Sequence, residues 1–449
     1  MIRAVRHVPK KRCCEMPTLV FPLSRIEGHA RVIIEVQSGQ VVATRMESTE
    51  FRGFEHFVRG VPAEQMPVIA PRICGVCSTA HQVAAVKALE DAYGVVPPPL
   101  ARTLRELLLL GQLIQNQATS LFIFTMPDRL GTRSIFDEAE DDGAVAGIAA
   151  RALRVRKAGT DLITLAGGQF IHPVKAVVGG VSSGIAASDA EAMRIQLAKA
   201  LPIACELFDH YWETSLALRE RIGTWGDDEP TYYIAGTAGE CPNYDSEVIR
   251  VMCPTGDVCA NLSARDFLSQ LTSVESHYSY AGQTSYQGHV MRANSLGRIN
   301  LAERLGTPSA DEYLEHFQTA FGRPAHGILL YDLCRGIELV YGLERAMEIL
   351  SQPLDHEDTA VAHVPRDGDG FGLVEAPRGP LIHHYRIEDG RIAEAEFIIP
   401  TVHNSLAIER ALMVAARRYV AADAINWELE RAVGRVVRAF DPCIACATH

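Results

Sequence analysis

Long apolar runs are missing from this chain. No stretch reaches 18 consecutive apolar residues, and residues 120–126 form an apolar segment far too short to cross a bilayer. The basic residues within 1–12 are followed by no apolar stretch and include no twin-arginine pair, so they do not indicate a secretory signal. We therefore expect a cytoplasmic protein with no membrane span of its own, unless a transported partner carries it.

Excess basic charge and dense cysteine are missing as well. The chain has 43 Lys and Arg against 55 Asp and Glu, a net charge of −12, which argues against nucleic acid or an anionic membrane as a partner. Eleven cysteines in 449 residues do not make a disulfide scaffold. Cys253 and Cys259 match no known spacing and receive no role. The hydrophobic content of 47% instead predicts a globular protein with a large core.

Helical periodicity dominates what is present. It covers Ser78–Tyr93 and residues 100–125, 134–166, 329–354 and 405–440, the last with a break near Asn426. Ser-x-x-Glu capping boxes at 188–191 and 309–312 predict two further helix starts, the first leading toward Ile222 with a kink at Pro202.

Two hairpins are predicted at glycine turns. Ser38-Gly39 divides residues 29–46, and Asp389-Gly390 divides 381–387 from 391–399. Residues 223–271 and 355–370 indicate loops. We expect a mainly α protein with small β pieces at both ends (α+β), in which an irregular tail, residues 1–17, precedes a single large unit, residues 18–449.

Two Cys-x-x-Cys pairs carry the chemistry. Cys74-Gly-Val-Cys77 lies where a loop meets a helix, and Cys443-Ile-Ala-Cys446 lies near the end of the chain, 366 positions beyond Cys77. Four thiolates suit a soft or borderline metal. On spacing alone, a structural zinc site or an Fe–S cluster is the leading interpretation, but zinc modules usually join their halves over much shorter separations.

The residues around these pairs resemble the large subunits of nickel–iron hydrogenases. Five separated segments match in the family's order: Arg25-Ile-Glu27-Gly-His29; Phe51-Arg-Gly-Phe-Glu55 with 72–77 and His81; Gly168-Gln-Phe-Ile-His172 with Gly179-Gly180; Glu375-Ala-Pro377-Arg378-Gly with Ile399-Pro400-Thr401; and Asp441 to His449. The resemblance spans nearly the whole chain and implies the family's fold, a central bundle of long helices. Many relatives carry histidines where this chain has residues 114–117.

The resemblance implies a nickel–iron centre held by all four cysteines. Cys74, Cys77, Cys443 and Cys446 would bind nickel. Cys77 and Cys446 would bridge to an iron that carries CO and cyanide ligands. In such a site the metal group supplies the chemistry, and the protein tunes it.

Further roles follow from the same resemblance. Arg378 would sit over the open site and pair with Asp441, although an ordinary salt bridge is the alternative. Pro377 and Thr401 would line the diatomic ligands of the iron, with Thr401 donating a hydrogen bond to a cyanide. His81 would hydrogen-bond near a bridging cysteine.

Proton transfer and a magnesium site are also implied. Cys443 would take the proton released from H2 and Glu27 would pass it on, unless Glu27 is only a structural residue. Glu55, the backbone carbonyl of Phe397 and His449 would bind Mg²⁺. A chain that stops at His449 is expected to be the form left after a maturation endopeptidase has removed an extension.

These residues together predict the catalytic subunit of a nickel–iron hydrogenase, which interconverts H2 with protons and electrons. No further Fe–S motif is present, so a small Fe–S subunit is expected as partner. The pattern looks most like the soluble bidirectional type, in which flavin-containing subunits reduce NAD(P). H2 uptake or H2 sensing without NAD(P), a non-enzymatic subunit that shares this fold, and a four-cysteine zinc protein are the alternatives.

Overall fold

The computed structural model describes residues 18–136, 143–222, 229–274, 276–355, 358–420 and 426–448. About half of the chain is helical and several small sheets accompany the helices, so the predicted fold class is confirmed. The predicted tail, residues 1–17, and His449 lie outside the described residues.

The helices are of two kinds, long ones that build the interior and short ones that shape loops. In chain order they are α1 Phe54–Phe57, α2 Met66–Ile69, α3 Ser78–Tyr93, α4 Pro99–Ala118, α5 Met126–Leu130, α6 Gly143–Gly167, α7 Ala187–Ile222, α8 Ala264–Gln270, α9 Asn294–Leu301, α10 Pro308–Phe321, α11 Leu330–Leu350, α12 Pro400–Tyr419, α13 Trp427–Phe440 and α14 Ile444–Ala447. A π-helical stretch, Thr119–Thr125, joins α4 to α5, and 3₁₀ turns occupy Ala63–Gln65 and Ala70–Ile73.

The strands form five small sheets. They are β1 Thr18–Pro22, β2 Ala30–Gln37, β3 Gln40–Ser48, β4 Ala176–Val177, β5 Gly180–Val181, β6 Tyr232–Ala238, β7 Cys241–Pro242, β8 Val248–Met252, β9 Val258–Leu262, β10 Leu271–Val274, β11 Gln283–Tyr286, β12 Met291–Arg292, β13 Gly368–Ala376, β14 Gly379–Glu388 and β15 Arg391–Ile398. The sheets run β1-β2-β3, β4-β5, β12-β6-β8-β9 with β7 on β6, β10-β11 and β13-β14-β15.

Four long helices, α4, α6, α7 and α11, pack on one another at the centre. Glycines permit the close approach, because a Cβ on Gly159 of α6 would lie 2.5 Å from the backbone nitrogen of Gln115 on α4. A Cβ on Gly336 of α11 would lie 2.0 Å from the ring of Phe208 on α7. The expected central bundle of long helices is therefore present.

A second close contact joins α3 to the sheet that contains β13. A Cβ on Gly372 would lie 1.9 Å from the Ala84 carbonyl oxygen, and one on Gly370 would lie 2.0 Å from that of Ala88. The bare backbone of β13 can therefore lie directly on α3. This contact brings the turn after β13, which carries Arg378, toward the N-terminus of α3.

One helical stretch, Pro99–Leu130, is long and apolar enough to cross a membrane. Such a test is also passed by the core helix of a globular protein. In its most apolar window, 83% of the residues are buried inside the fold, where α6 and α11 cover α4.

The predicted helices agree with the structure in most places. Ser78–Tyr93 is helical throughout, and Asn426 caps α13 by accepting a hydrogen bond from the Leu429 backbone, at the predicted break. The helix predicted from residue 134 is wrong at its start, since 134–136 are not helical and 137–142 lie outside the described residues.

Both predicted capping boxes are wrong. Ser188 and Ser309 lie inside helices that begin at Ala187 and Pro308. At the second helix the end is satisfied by tertiary contacts instead, because Glu344 accepts hydrogen bonds from the backbone nitrogens of Ser309 and Ala310.

Both predicted hairpins form, with Ser38 and Asp389 in left-handed conformation beside their glycines. The loop predicted for 223–271 is wrong, since that region contains β6 to β9 and α8. Strand β6 is buried along almost its whole length, so the alternation that marks a half-buried strand is absent. The β pieces are therefore not confined to the two ends of the chain.

Candidate metal centre

The four cysteines of the two pairs converge at one point. Their Sγ atoms all lie within 4.8 Å of one another, and all four side chains are buried. Cys443 Sγ is 3.4 Å from Cys74 Sγ, 3.7 Å from Cys77 Sγ and 2.9 Å from Cys446 Sγ. This is the one cluster of potential metal-binding side chains of its kind among the described residues.

Local structure presents each sulfur to this point. Cys74 follows the 3₁₀ turn in an extended conformation, and Cys77 stands at the N-cap of α3. Asp441 ends α13 in left-handed conformation, with φ of 48°, and turns the chain so that Cys443 begins α14. Helix N-termini favour negative charge, so Cys77 and Cys443 occupy positions suited to thiolates.

The early and late parts of the chain are joined by backbone contacts beside the cysteines. Ile444 donates a backbone hydrogen bond of 3.0 Å to the Glu27 carbonyl, within an isolated bridge between Glu27 and Cys443. Gly28 must be a glycine here, because its φ is +80° and a Cβ would lie 2.8 Å from that of Ile444.

The four thiols share negative charge unequally. Hydrogen bonds from Cys443 and Cys446, together with the charge of Arg378, hold the pKa of Cys77 well below its usual range. Burial raises the pKa of Cys443 and of Cys446 well above it. Four thiolates this close repel one another, so a cation at the centre is needed before all four can ionise.

Arg378 is fixed against the cluster. Its Nη1 donates to Cys77 Sγ at 3.3 Å and its Nη2 to Asp441 Oδ1 at 3.1 Å, while Nε donates to the Asp441 carbonyl. The other carboxylate oxygen of Asp441 accepts from Asn116 Nδ2 at 3.2 Å. The guanidinium is 4% exposed, so its charge acts with little screening by water.

A cavity of about 270 Å³ adjoins the sulfurs. Pro377, Arg378, Thr401, Leu381 and Ile399 are among the residues that line it, together with three of the cysteines. The Thr401 hydroxyl accepts a hydrogen bond from the Cys443 backbone at 2.9 Å, so its own proton can be donated elsewhere.

Glu27 reaches the cluster from its more accessible side. Its Oε2 accepts from Cys443 Sγ at 3.0 Å and from the Ala445 backbone nitrogen at 3.0 Å. Burial, with the negative charge of Cys74, raises the pKa of Glu27. Because Glu27 is only partly buried, it connects Cys443 with the exterior.

His81 lies on the opposite side, with Nε2 3.5 Å from Cys446 Sγ. Glu55 accepts a hydrogen bond of 3.0 Å from the Phe397 backbone nitrogen, so these two predicted magnesium ligands are adjacent. The third, His449, lies outside the described residues. Its neighbour Thr448 accepts a backbone hydrogen bond from Arg52, close to Glu55.

Sequence reasoning missed three residues around the centre. Asn116 contacts Asp441 across 325 positions, and no local signal indicates that contact. His383 and Tyr385 form a hydrogen-bonded chain with His81. Their spacing of two on a predicted strand places both on one face, and this alternation could have identified them as a pair.

The donor set fits a nickel–iron centre. Soft thiolate ligands suit nickel and iron, the four sulfurs share one point, and the cavity next to Cys77 and Cys446 leaves space beside them. Arg378 and Thr401 provide the only hydrogen-bond donors among the side chains named above for the cavity wall.

Comparisons with known proteins agree with this geometry. The family model described as nickel-dependent hydrogenase matches residues 52–128 and 239–449. The matching polypeptide of the vhu F420-non-reducing hydrogenase from Methanocaldococcus jannaschii is 32% identical over 89% of this chain and 98% of the relative. The NAD-reducing hydrogenase HoxS subunit beta of Cupriavidus necator is 27% identical over 96% of this chain and 94% of its own.

Solved structures give the same result. The crystal structure of an NAD⁺-reducing [NiFe]-hydrogenase in the H2-reduced state superposes with a TM-score of 0.87 at 28% identity, over 96% of this chain and 99% of the other. The Ni-Fe-Se hydrogenase from D. vulgaris Hildenborough shares the fold, with a TM-score of 0.77 at 20% identity over 96% and 99%. The chain therefore belongs to the nickel-dependent hydrogenase family and is a catalytic subunit, an oxidoreductase that acts on H2.

Proposed function

We propose that this chain catalyses the reversible oxidation of H2 to two protons and two electrons and passes the electrons to an Fe–S partner subunit, and through it to NAD(P). The observation that carries the proposal is the convergence of four buried cysteine sulfurs within 4.8 Å in a member of this family.

In this proposal all four cysteines bind nickel, and Cys77 and Cys446 bridge to an iron with CO and cyanide ligands. When bound, such a centre polarises H2 and accepts its electrons. Support for the bridging pair comes from the cavity, which adjoins Cys77 and Cys446. Its walls are chiefly apolar side chains, as small diatomic ligands require.

Arg378 is proposed to stabilise charge at the open face of the centre. Asp441 holds the guanidinium at two points, so Arg378 presents a fixed donor toward Cys77. A preorganised charge in a dry site needs no reorganisation during the reaction. Pro377 and Thr401 are proposed to line the diatomic ligands, with the Thr401 hydroxyl proton directed to a cyanide nitrogen.

Glu27 is proposed to receive the proton from the Cys443 sulfur and to pass it outward. The contact of 3.0 Å is within the reach required for direct proton transfer. The raised pKa supports the role, because a carboxyl group that binds its proton more firmly is better matched to neutral pH.

Glu55, the Phe397 carbonyl and His449 are proposed to hold Mg²⁺ near the end of the chain. The adjacency of Glu55 and Phe397 supports two of these ligands. A cation there would attract the carboxylate and stabilise the last residues, which carry Cys443 and Cys446.

Electrons must leave through another protein. Among the described residues, the four-cysteine group is the one that could hold a metal of this kind, so this part of the chain offers no second redox centre. Relatives are named as subunits of larger hydrogenases. We propose that the direct partner is a small Fe–S subunit, with flavin-containing subunits beyond it, and we further propose a cytoplasmic location and processing by a maturation endopeptidase.

NAD(P) linkage has one specific competitor. The likeness to the NAD⁺-reducing structure favours it, with a TM-score of 0.87. The relatives with 32% identity are named F420-non-reducing hydrogenases, and they favour a different electron acceptor.

Metal analysis and infrared spectroscopy of the purified complex test the proposal. One nickel with iron, and infrared bands from CO and cyanide, are expected, whereas zinc alone would refute it. H2-dependent reduction of NAD⁺ or NADP⁺ is then compared with that of an artificial dye. Reduction of the dye alone would favour the competing acceptor and leave the hydrogenase assignment intact.

A further inference from the structure

A chain of buried hydrogen bonds runs from Cys446 into the interior. His81 Nε2 lies 3.5 Å from Cys446 Sγ, and His81 Nδ1 lies 3.0 Å from His383 Nε2. His383 Nδ1 lies 2.7 Å from the Tyr385 hydroxyl oxygen. None of the four side chains is more than 3% exposed, so water does not interrupt the chain.

The direction of these hydrogen bonds follows from the donors available. A neutral imidazole has one donor and one acceptor nitrogen. A thiolate has no proton, so it must accept from His81 Nε2, which leaves His81 Nδ1 to accept from His383 Nε2. His383 Nδ1 must then accept from Tyr385. A chain of this kind transmits polarisation from one bond to the next.

Tyr385 is suited to the donor end. Among the described residues, its hydroxyl makes no hydrogen bond other than that to His383. Burial holds the pKa of Tyr385 well above its usual range, so the hydroxyl keeps its proton. One tautomer of His383 is therefore favoured, and through it one tautomer of His81.

Packing fixes the same groups in space. His383 and Tyr385 lie on one face of β14, which is paired on both sides by β13 and β15. The Phe397 ring meets His383 edge-on, with centroids 4.8 Å apart, and meets Tyr385 at 6.2 Å. The rings therefore have little freedom to reorient when a hydrogen bond changes.

We propose that Tyr385 and His383 are positioning residues that fix His81 as a hydrogen-bond donor to the Cys446 sulfur, and so lower the electron density that this sulfur gives to the metal centre. The inference rests on the proposed nickel–iron centre with its CO ligand. Hydrogen bonds to a ligand sulfur tune a metal in this way without binding it. None of the roles proposed above uses His383 or Tyr385.

The test replaces the hydroxyl and then strengthens it. Tyr385→Phe removes the donor but keeps the ring, so more electron density reaches the iron, and the CO stretching band should move to lower wavenumber. Site-specific 3-fluorotyrosine at position 385 carries a more acidic hydroxyl and should move the same band upward. Infrared spectra are compared at equal nickel content.

Tyr331→Phe is the matched control. Tyr331 is fully buried, and its hydroxyl has no hydrogen-bond partner among the described residues, so this variant should leave the band unchanged. Shifts of opposite sign at position 385 support the inference. Unchanged bands in both position-385 proteins, or shifts of the same sign, would overturn it.

Two outcomes remain distinct from these. If the unmodified protein shows no CO or cyanide bands, the proposed centre itself is refuted. If Tyr385→Phe fails to load nickel, the 3-fluorotyrosine protein decides, because it retains both the ring and the hydroxyl. An upward shift then supports the inference, and an unchanged band contradicts it.

Discussion

Cys443 is the residue on which most contacts of the centre converge. Its sulfur contacts the other three cysteines and Glu27, and its backbone nitrogen donates to Thr401. The sulfur therefore belongs both to the cluster and to the proposed path for protons. Changes at its neighbours should separate these two properties.

Glu27→Gln should separate proton transfer from assembly. The amide has nearly the same shape but cannot relay a proton, so H/D exchange activity should fall by about 10²- to 10⁴-fold, the usual contribution of a general acid or base. Exchange is followed by mass spectrometry of the gas phase, alongside nickel content, which should not change. Glu409→Gln, at another carboxyl group with a pKa raised by burial, serves as the control. An exchange rate equal to that of the unmodified protein would remove Glu27 from the path.

Cys446→Ser should prevent metal loading. A serine hydroxyl is a harder and less acidic ligand than a thiol, so it does not replace a bridging thiolate. Nickel in the purified variant should fall close to zero by elemental analysis. Cys334→Ser is the control, because Cys334 is a buried cysteine outside the cluster. Normal nickel content in Cys446→Ser would count against this ligand set.

The cysteines of the centre could be identified from the sequence, but their surroundings could not. Motif spacing indicated Cys74 and Cys443 because ligand pairs leave a local pattern. Asn116 reaches Asp441 only because α4 passes beneath the end of α13, and that proximity has no signature within either segment.

At the scale of elements, the contact of α3 with β13 positions the centre. Helix α3 begins at Cys77, and the turn that carries Arg378 follows β13. Their separation is set by Gly370 and Gly372, which let the strand lie against the helix backbone. A side chain at either position would push Arg378 away from the sulfurs.

Gly372→Ala should therefore destabilise the protein and weaken the centre. The added Cβ would meet a backbone oxygen at 1.9 Å, which cannot move like a side-chain tip, and overpacking of this kind costs about 1–3 kcal/mol. The measurement is the midpoint of chemical unfolding, together with nickel content. Gly147→Ala in α6, where an added Cβ meets nothing within 4 Å, should be neutral or slightly stabilising. Equal midpoints for the two variants would contradict this account.

Elements were predicted well where the signal is local. The hairpin turns at Gly39 and Gly390 have a dipeptide signature, and Asn426 is a favourable N-cap. Strand β6 was missed because it is buried on both faces and sits among Gly, Pro and Asp residues. The capping boxes failed at Ser188 and Ser309 because each lies inside its helix, and Glu344 on α11 satisfies the second helix end.

At the scale of the whole molecule, the centre joins parts of the chain that are far apart in sequence. The 366 positions between Cys77 and Cys443 include the entire helical bundle. Metal ligation at both pairs would therefore cross-link the completed fold. Without the metal, the last residues depend on a few hydrogen bonds, such as that from Ile444 to the Glu27 carbonyl.

Metal loading should for this reason protect the end of the chain. Binding that requires the native arrangement stabilises it, and the effect is largest where the ligands reside. Hydrogen exchange of the peptide containing Ile444 and Thr448 should slow at least about tenfold in the loaded protein, equivalent to 1.4 kcal/mol of local stability. The comparison uses protein prepared with and without nickel. The peptide of β2 and β3, which lacks the four cysteines, should exchange alike in both preparations. If the terminal peptide also exchanged alike, the metal would not be what holds the two distant segments together.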